Sequence, residues 1–136
     1  MPQKLGIKAG ARLGLVRAPG GFERTLGELP IGVVTQEISA GRAKAAELDV
    51  IVCFATTLKE VARDLPALRR RLHPAGGLWM AWPKKASGIA TDVGENAIRQ
   101  IGLGAGLVDN KVCAIDEVWS GLRFVVRLAD RPKRAG

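Results

Sequence analysis

The densest cluster of reactive groups is Lys84-Lys85-Ala86-Ser87-Gly88, which follows the apolar run Leu78-Trp79-Met80-Ala81-Trp82. Two adjacent ammonium groups beside a hydroxyl and a flexible glycine can grip a phosphate or a carboxylate. The plainer alternative is a solvated loop leaving a buried strand. Trp119-Ser120 offers a stacking surface and a hydroxyl, or equally a tryptophan that caps a core. Asp116 and Glu117 are candidate acid or base groups, but neighbours on a strand point to opposite faces and do not share a proton. Asp109, Asn110 and Lys111 form a second polar cluster. Gly20-Gly21 is a weak phosphate-loop signal. A dinucleotide fingerprint needs G-x-G-x-x-G at that turn, and a simple tight turn accounts for the pair. Glu37 closes a β-branched run, where a carboxylate can receive a ribose diol.

Other chemistries lack their parts. His73 is the single histidine; before Pro74 at a helix end, it is expected to meet free carbonyls. Cys53 and Cys113 each sit in an apolar run and read as buried core thiols. There is no C-x-x-C motif and no Cys–His pair, so neither a metal site nor a nucleophilic triad is expected. No catalytic residue is assigned.

The 136 residues carry 21 basic and 13 acidic side chains, a formal charge of +8, with 47% apolar residues. That length suits one domain with a sizeable core. The composition excludes a disordered polymer, a collagen repeat and a disulfide miniprotein. No run approaches the roughly 20 apolar residues of a membrane span, and residues 1–10 lack a secretory signal core. Two unpaired cysteines fit a reducing, cytoplasmic setting. The basic excess invites a nucleic-acid reading through Arg63, Arg69, Arg70, Arg71, Arg131, Lys133 and Arg134. No recognised module or aromatic platform accompanies them, so specific nucleic-acid binding is not expected.

These groups need elements to position them. Residues 12–17 read as a strand, then a turn, a helix over about 22–29, and a second strand over 31–38. Ser39 can cap a short helix reaching Leu48. Residues 49–55 are almost wholly apolar, as in a strand covered on both faces. Thr57 and Glu60 have capping-box spacing, opening a helix to Leu72 that Pro66 should kink or restart. Pro74-Ala75-Gly76-Gly77 turns into a strand on which Trp79 and Trp82 point oppositely, so helices must cover both faces. Thr91 and Asp92 start a last helix, frayed by Gly102, Gly104 and Gly106. Strands over 108–115 and 121–128 then form a hairpin, and residues 129–136 are expected to be a disordered basic tail. The result is a single α/β domain over 1–128, a three-layer sandwich whose mostly parallel sheet closes on an antiparallel hairpin. Ligands bind beyond strand carboxyl ends. That selects residues 19–22, 56–57, 83–88 and 116–120, and puts Asp109, Asn110 and Lys111 at the opposite end.

This order resembles the class I methyltransferase fold in abbreviated form. Residues 49–78 look like its central strand, helix and Gly-Gly turn, while one helix–strand pair is missing between Glu37 and Asp49. The resemblance implies S-adenosylmethionine as cofactor, although Ala18-Pro19-Gly20-Gly21 departs from the glycine-rich cofactor loop. As strings, Trp82-Pro83-Lys84-Lys85-Ala86-Ser87-Gly88, the run over 106–116 and Trp119-Ser120-Gly121-Leu122 resemble a family of small bacterial proteins of unknown function. The resulting expectation is a non-catalytic binding or regulatory domain without a cofactor. Lys84 and Lys85 would charge a rim for a small anion or an acidic protein segment, Ser87 and Ser120 would orient it, and Trp119 would shield it. The alternatives are a divergent S-adenosylmethionine-dependent methyltransferase and a protein–protein module, with self-association open.

Overall fold

A computed structural model describes residues 2–38 and 48–127. The helix expected from Ser39 and the basic tail lie outside the described residues. The elements are α1 (Pro2–Leu5), β1 (Arg12–Val16), α2 (Phe22–Leu26), β2 (Val34–Glu37), β3 (Leu48–Phe54), α3 (Leu58–Arg69), β4 (Leu72–Pro83), α4 (Glu95–Gly104), β5 (Leu107–Ala114) and β6 (Trp119–Val126). The sheet order is β2-β1-β3-β4-β6-β5. The first four strands are parallel, and β6 and β5 close the sheet as an antiparallel hairpin.

Both faces are covered, which is why β3 and the second half of β4 are apolar without alternation. On one face, Val61, Leu65 and Leu68 of α3 and Ile98 of α4 pack on Ile51, Leu78, Met80, Trp82 and Phe124. On the other, Leu5, Phe22 and Leu26 pack on Leu13, Val52, Phe54, Trp79 and Trp119. Burying each such aliphatic side chain contributes about 1.5–3 kcal/mol. Trp79 and Trp82 fall on opposite faces, and the fully buried Trp79 indole donates to the Leu5 carbonyl at 2.9 Å.

Local departures from expectation have local causes. Pro66 sits inside an unbroken α3, because Leu65 and Leu68 hold the helix on the sheet and Pro66 itself faces solvent. The expected turn over 74–77 is an irregular stretch within β4, whose pairing jumps from Leu72–Leu48 to Gly77–Val50. A Cβ on Gly76 would lie 2.5 Å from the Asp49 carbonyl oxygen, so this glycine serves close backbone approach. Helix α4 begins at Glu95 rather than Thr91, because Thr91 and Asp92 are used elsewhere. Gly102 does not fray the helix: it is buried there, where a Cβ would overlap the Phe124 ring. His73 accepts from the Ala75 backbone N–H at 3.0 Å, at the start of β4 rather than a helix end. Cys53 is buried, but Cys113 is only half-buried.

Candidate functional site

Strand β1 lies between β2 and β3, so the chain leaves its carboxyl end in one direction and β3's connection leaves in the other. Such a switch point opens the crevice where ligands of open α/β sheets bind. A cleft of about 220 Å³ sits there, lined by Arg17, Phe54, Ala55, Thr56, Glu60 and Trp119.

Arg17 dominates it. This residue follows β1 with φ 54°, the one positive φ outside glycine among the described residues, a conformation that costs an L-residue about 1–2 kcal/mol. Its side chain reaches across β3. Nε donates to the Phe54 carbonyl at 2.9 Å and lies 3.4 Å from Glu60 Oε2, while Nη2 donates to Asp64 Oδ2 and lies 3.5 Å from Cys53 Sγ. Asp64 is fully buried, and its second oxygen accepts from Arg63 Nε at 3.0 Å. Burial works against the Arg17 charge, but the bond to Asp64 and the fields of Cys53, Asp64 and Glu60 outweigh it and raise the guanidinium pKa. Burial also pushes the Cys53 thiol far up, so it is no thiolate nucleophile. For Glu60, burial acts upward but is overcome by the Thr56 N–H at 3.0 Å, Arg17 and the Thr57 groups, so its pKa falls below the ordinary value.

The start of α3 is closed. Thr57 Oγ1 accepts from the Glu60 N–H at 3.1 Å, Glu60 Oε1 accepts from the Thr56 and Thr57 N–H groups, and Asp92 Oδ1 accepts from the Leu58 N–H at 2.8 Å. Thr91 ties the same connection down by donating to the Thr56 carbonyl at 2.7 Å. This helix start, which would otherwise suit a phosphate, is thus taken by the chain's own oxygens.

The residues singled out from sequence fall in three places. Trp119 lines the cleft, edge-on to Phe54 with ring centroids 5.1 Å apart. Pro83 pairs with Trp119 and Trp82 with Ser120, so Lys84, Lys85, Ser87 and Ser120 share this rim without lining the cleft. Ser87 Oγ donates to the Lys84 carbonyl at 2.7 Å and accepts from the Ile89 N–H, and Asp116 Oδ1 accepts from the Val118 and Trp119 N–H groups. Both hold local turns. Gly21, at φ 85°, makes the tight turn into α2, and a Cβ on Gly20 or Gly21 would touch nothing within 4 Å. Glu37 is exposed at the carboxyl end of β2, without a hydrogen bond or ion pair among the described residues. Asp109, Asn110 and Lys111 lie within β5 rather than before it, because β5 starts at Leu107. Asp109 pairs with Arg99 at 2.9 Å, while Asn110 and Lys111 line a separate cleft. Among the described residues no cluster of three His, Cys, Asp or Glu groups can hold a metal, and no helix is long and apolar enough to cross a membrane.

Arg17, Glu60 and Asp64 were not singled out as site residues. The available signal was Asp64 itself, a carboxylate within the apolar face set by Val61, Leu65 and Leu68.

With this geometry in view, the chain is a Rossmann-like α/β domain of the methyltransferase type in fold, in abbreviated form. An S-adenosylmethionine-dependent methyltransferase from Aquifex aeolicus is 17% identical, with 91% of this chain and 87% of that one covered at TM-score 0.59. A TehB-like methyltransferase from Corynebacterium glutamicum is 10% identical, with coverages of 88% and 82% at TM-score 0.57. The trans-methyltransferase CalH in complex with SAH is 13% identical, with coverages of 87% and 52% at TM-score 0.62. At these identities the likeness is one of fold. No protein-family model and no curated protein matches the chain.

Proposed function

We propose that the chain is a divergent S-adenosylmethionine-dependent methyltransferase that takes its cofactor at the switch-point crevice. The observation carrying this reading is the unpartnered carboxylate of Glu37 at the end of β2, on the same rim as the cleft beyond β1 and β3. The donor set fits a nucleoside without phosphates better than a dinucleotide. Residues 18–21 make no glycine-rich phosphate cradle, α2 has five residues, and α3 is already capped. Glu37 would hold ribose hydroxyls, since a carboxylate accepts from both members of a diol. Arg17 Nη1, without a partner among the described residues, would hold the amino-acid carboxylate. Glu60, which lines the cleft, supplies negative charge congenial to a sulfonium. The Phe54 and Trp119 rings wall the cleft against water. When bound, the cofactor supplies an electrophilic methyl group, and the chain's part is to bind and orient. The structural likeness to methyltransferases supports the reading at the level of fold.

Calorimetry with S-adenosylmethionine and its demethylated product tests it. Saturable heat is expected, weakened about tenfold or more in Glu37→Ala by loss of a charge-assisted contact. No heat at high protein concentration overturns it.

A second reading is a non-catalytic domain that binds a small anion or an acidic segment at the rim. It is favoured by Lys84 and Lys85, which have no ion-pair partner among the described residues. It predicts ligand-induced thermal shifts, across a metabolite panel, that vanish in the Lys84→Ala, Lys85→Ala double variant.

A further inference from the structure

A second cleft, away from the switch point, collects cations without any carboxylate. It lies between α1 and the β5–β6 hairpin, encloses about 240 Å³, and is lined by Gln3, Lys4, Gly6, Asn110, Lys111 and Arg123. At about 30 Å³ per water, that volume holds about eight waters, enough for a phosphate group and a short organic tail.

Its charge depends on a bulge. Asp109 pairs with Phe124 and Lys111 with Arg123, so Asn110 is an extra residue between two consecutive partners. In a regular strand, Asp109 and Lys111 would share a face. The bulge separates them. Asp109 stays on the α4 side with Arg99, and Lys111 turns to the α1 side with Arg123 and Cys113. Bulges re-aim side chains in this way next to functional sites. Asp109 is thereby kept out of the cleft lining.

The cations are held in place. Lys4 Nζ donates to the Ala114 carbonyl at 2.5 Å, and Lys111 Nζ donates to the Lys4 carbonyl at 3.1 Å. Each ammonium thus uses one of its three protons on a neutral acceptor, and neither has a carboxylate partner among the described residues. The Arg123 guanidinium lies across Gly77, where a Cβ would come within 2.5 Å of Nε, so the glycine keeps that path open. The field reaches Cys113, whose thiol is pushed up by burial and pulled back by Lys4 and Lys111. Asn110 adds an exposed amide without a hydrogen bond among the described residues. Two ammonium groups, Lys4 and Lys111, fixed side by side with spare protons and no carboxylate partner among the described residues, favour an external anion.

We infer that this cleft is a binding site for a phosphate dianion, free or carried on a small monoester, held by Lys4, Lys111 and Arg123 with Asn110 as a neutral donor. It stands apart from the switch-point crevice and does not depend on the cofactor proposed there.

Calorimetric titration of the full chain with inorganic phosphate and with glycerophosphate, at ionic strength fixed with sodium chloride, tests the inference. Saturable one-to-one binding of at least one anion is expected, and the tighter of the two identifies the free or the esterified form. Lys111→Met should weaken it about tenfold or more. Asn110→Ala, an exposed change that leaves thermal unfolding without ligand unaltered, should weaken it several-fold. Lys84→Ala with Lys85→Ala should leave it unchanged. Absence of saturable heat for both anions, or binding that survives both Lys111→Met and Asn110→Ala intact, overturns the proposal.

Discussion

Arg17→Met and Asp64→Asn break the same contact, yet their costs should differ by more than a kilocalorie. Asp64 has no exposed surface, whereas the side chains of Arg17 and Arg63 are 34% and 62% exposed. Removing Arg17 leaves a buried carboxylate with Arg63 as its remaining cation. Stranding one member of a buried pair costs about 3–5 kcal/mol, and the surviving Arg63 bond places this case near the lower bound, about 3 kcal/mol. Removing the Asp64 charge instead leaves two guanidinium groups that can turn to water, and the Asn amide keeps one acceptor oxygen. The loss is then that of a charge-assisted hydrogen bond, discounted for exposure, about 1.5 kcal/mol. Arg17→Gly should recover part of the Arg17→Met loss, because glycine adopts φ 54° without the left-handed penalty. Urea unfolding followed by tryptophan fluorescence measures all three, with stabilities compared only if the slope m is unchanged. If Asp64→Asn costs as much as Arg17→Met, the premise that stranded burial sets the energy is wrong.

Two further expectations follow from single contacts. Gly102→Ala should lower the melting temperature. Overlap with the fully buried Phe124 costs about 1–3 kcal/mol, against a helix-propensity gain of about 1 kcal/mol; a rise in melting temperature would contradict the packing. Glu60 has a folded pKa below its unfolded value, so its contribution is complete above the unfolded pKa and is lost as pH falls through the folded one. The stability gap between the wild type and Glu60→Gln, measured by denaturation from neutral to acid pH, should therefore close only below about pH 4.3; a gap that closes nearer neutrality would contradict the sign.

The alternation of strands and helices was legible because periodicity and burial share one cause: β3 is apolar throughout since both its faces are covered, and the α3 capping box writes its own spacing. Two misplacements came from tertiary contacts that leave no local pattern. Thr91 and Asp92 look like a helix start, but they satisfy groups near residue 57 from more than thirty positions away. Gly76-Gly77 looks like a turn, yet these glycines admit the Asp49 carbonyl and the Arg123 guanidinium. The candidate site was legible as a set of loops rather than as residues. The rule of strand carboxyl ends selected the loop at Thr56 and the hairpin carrying Trp119. Arg17 was hidden, because a positive φ on arginine has no signature in sequence.

The three tryptophans give each layer its own optical reporter. Trp82 belongs to the core beneath α3 and α4, while Trp79 and Trp119 belong to the core beneath α1 and α2. Native emission therefore sums signals from opposite sides of one sheet, and a chain lacking Trp82 would emit from one side alone. Trp119 is also part of the cleft wall. The same spectrum thus reads the integrity of both layers, and a ligand taken into the crevice would perturb its Trp119 share, with no label added.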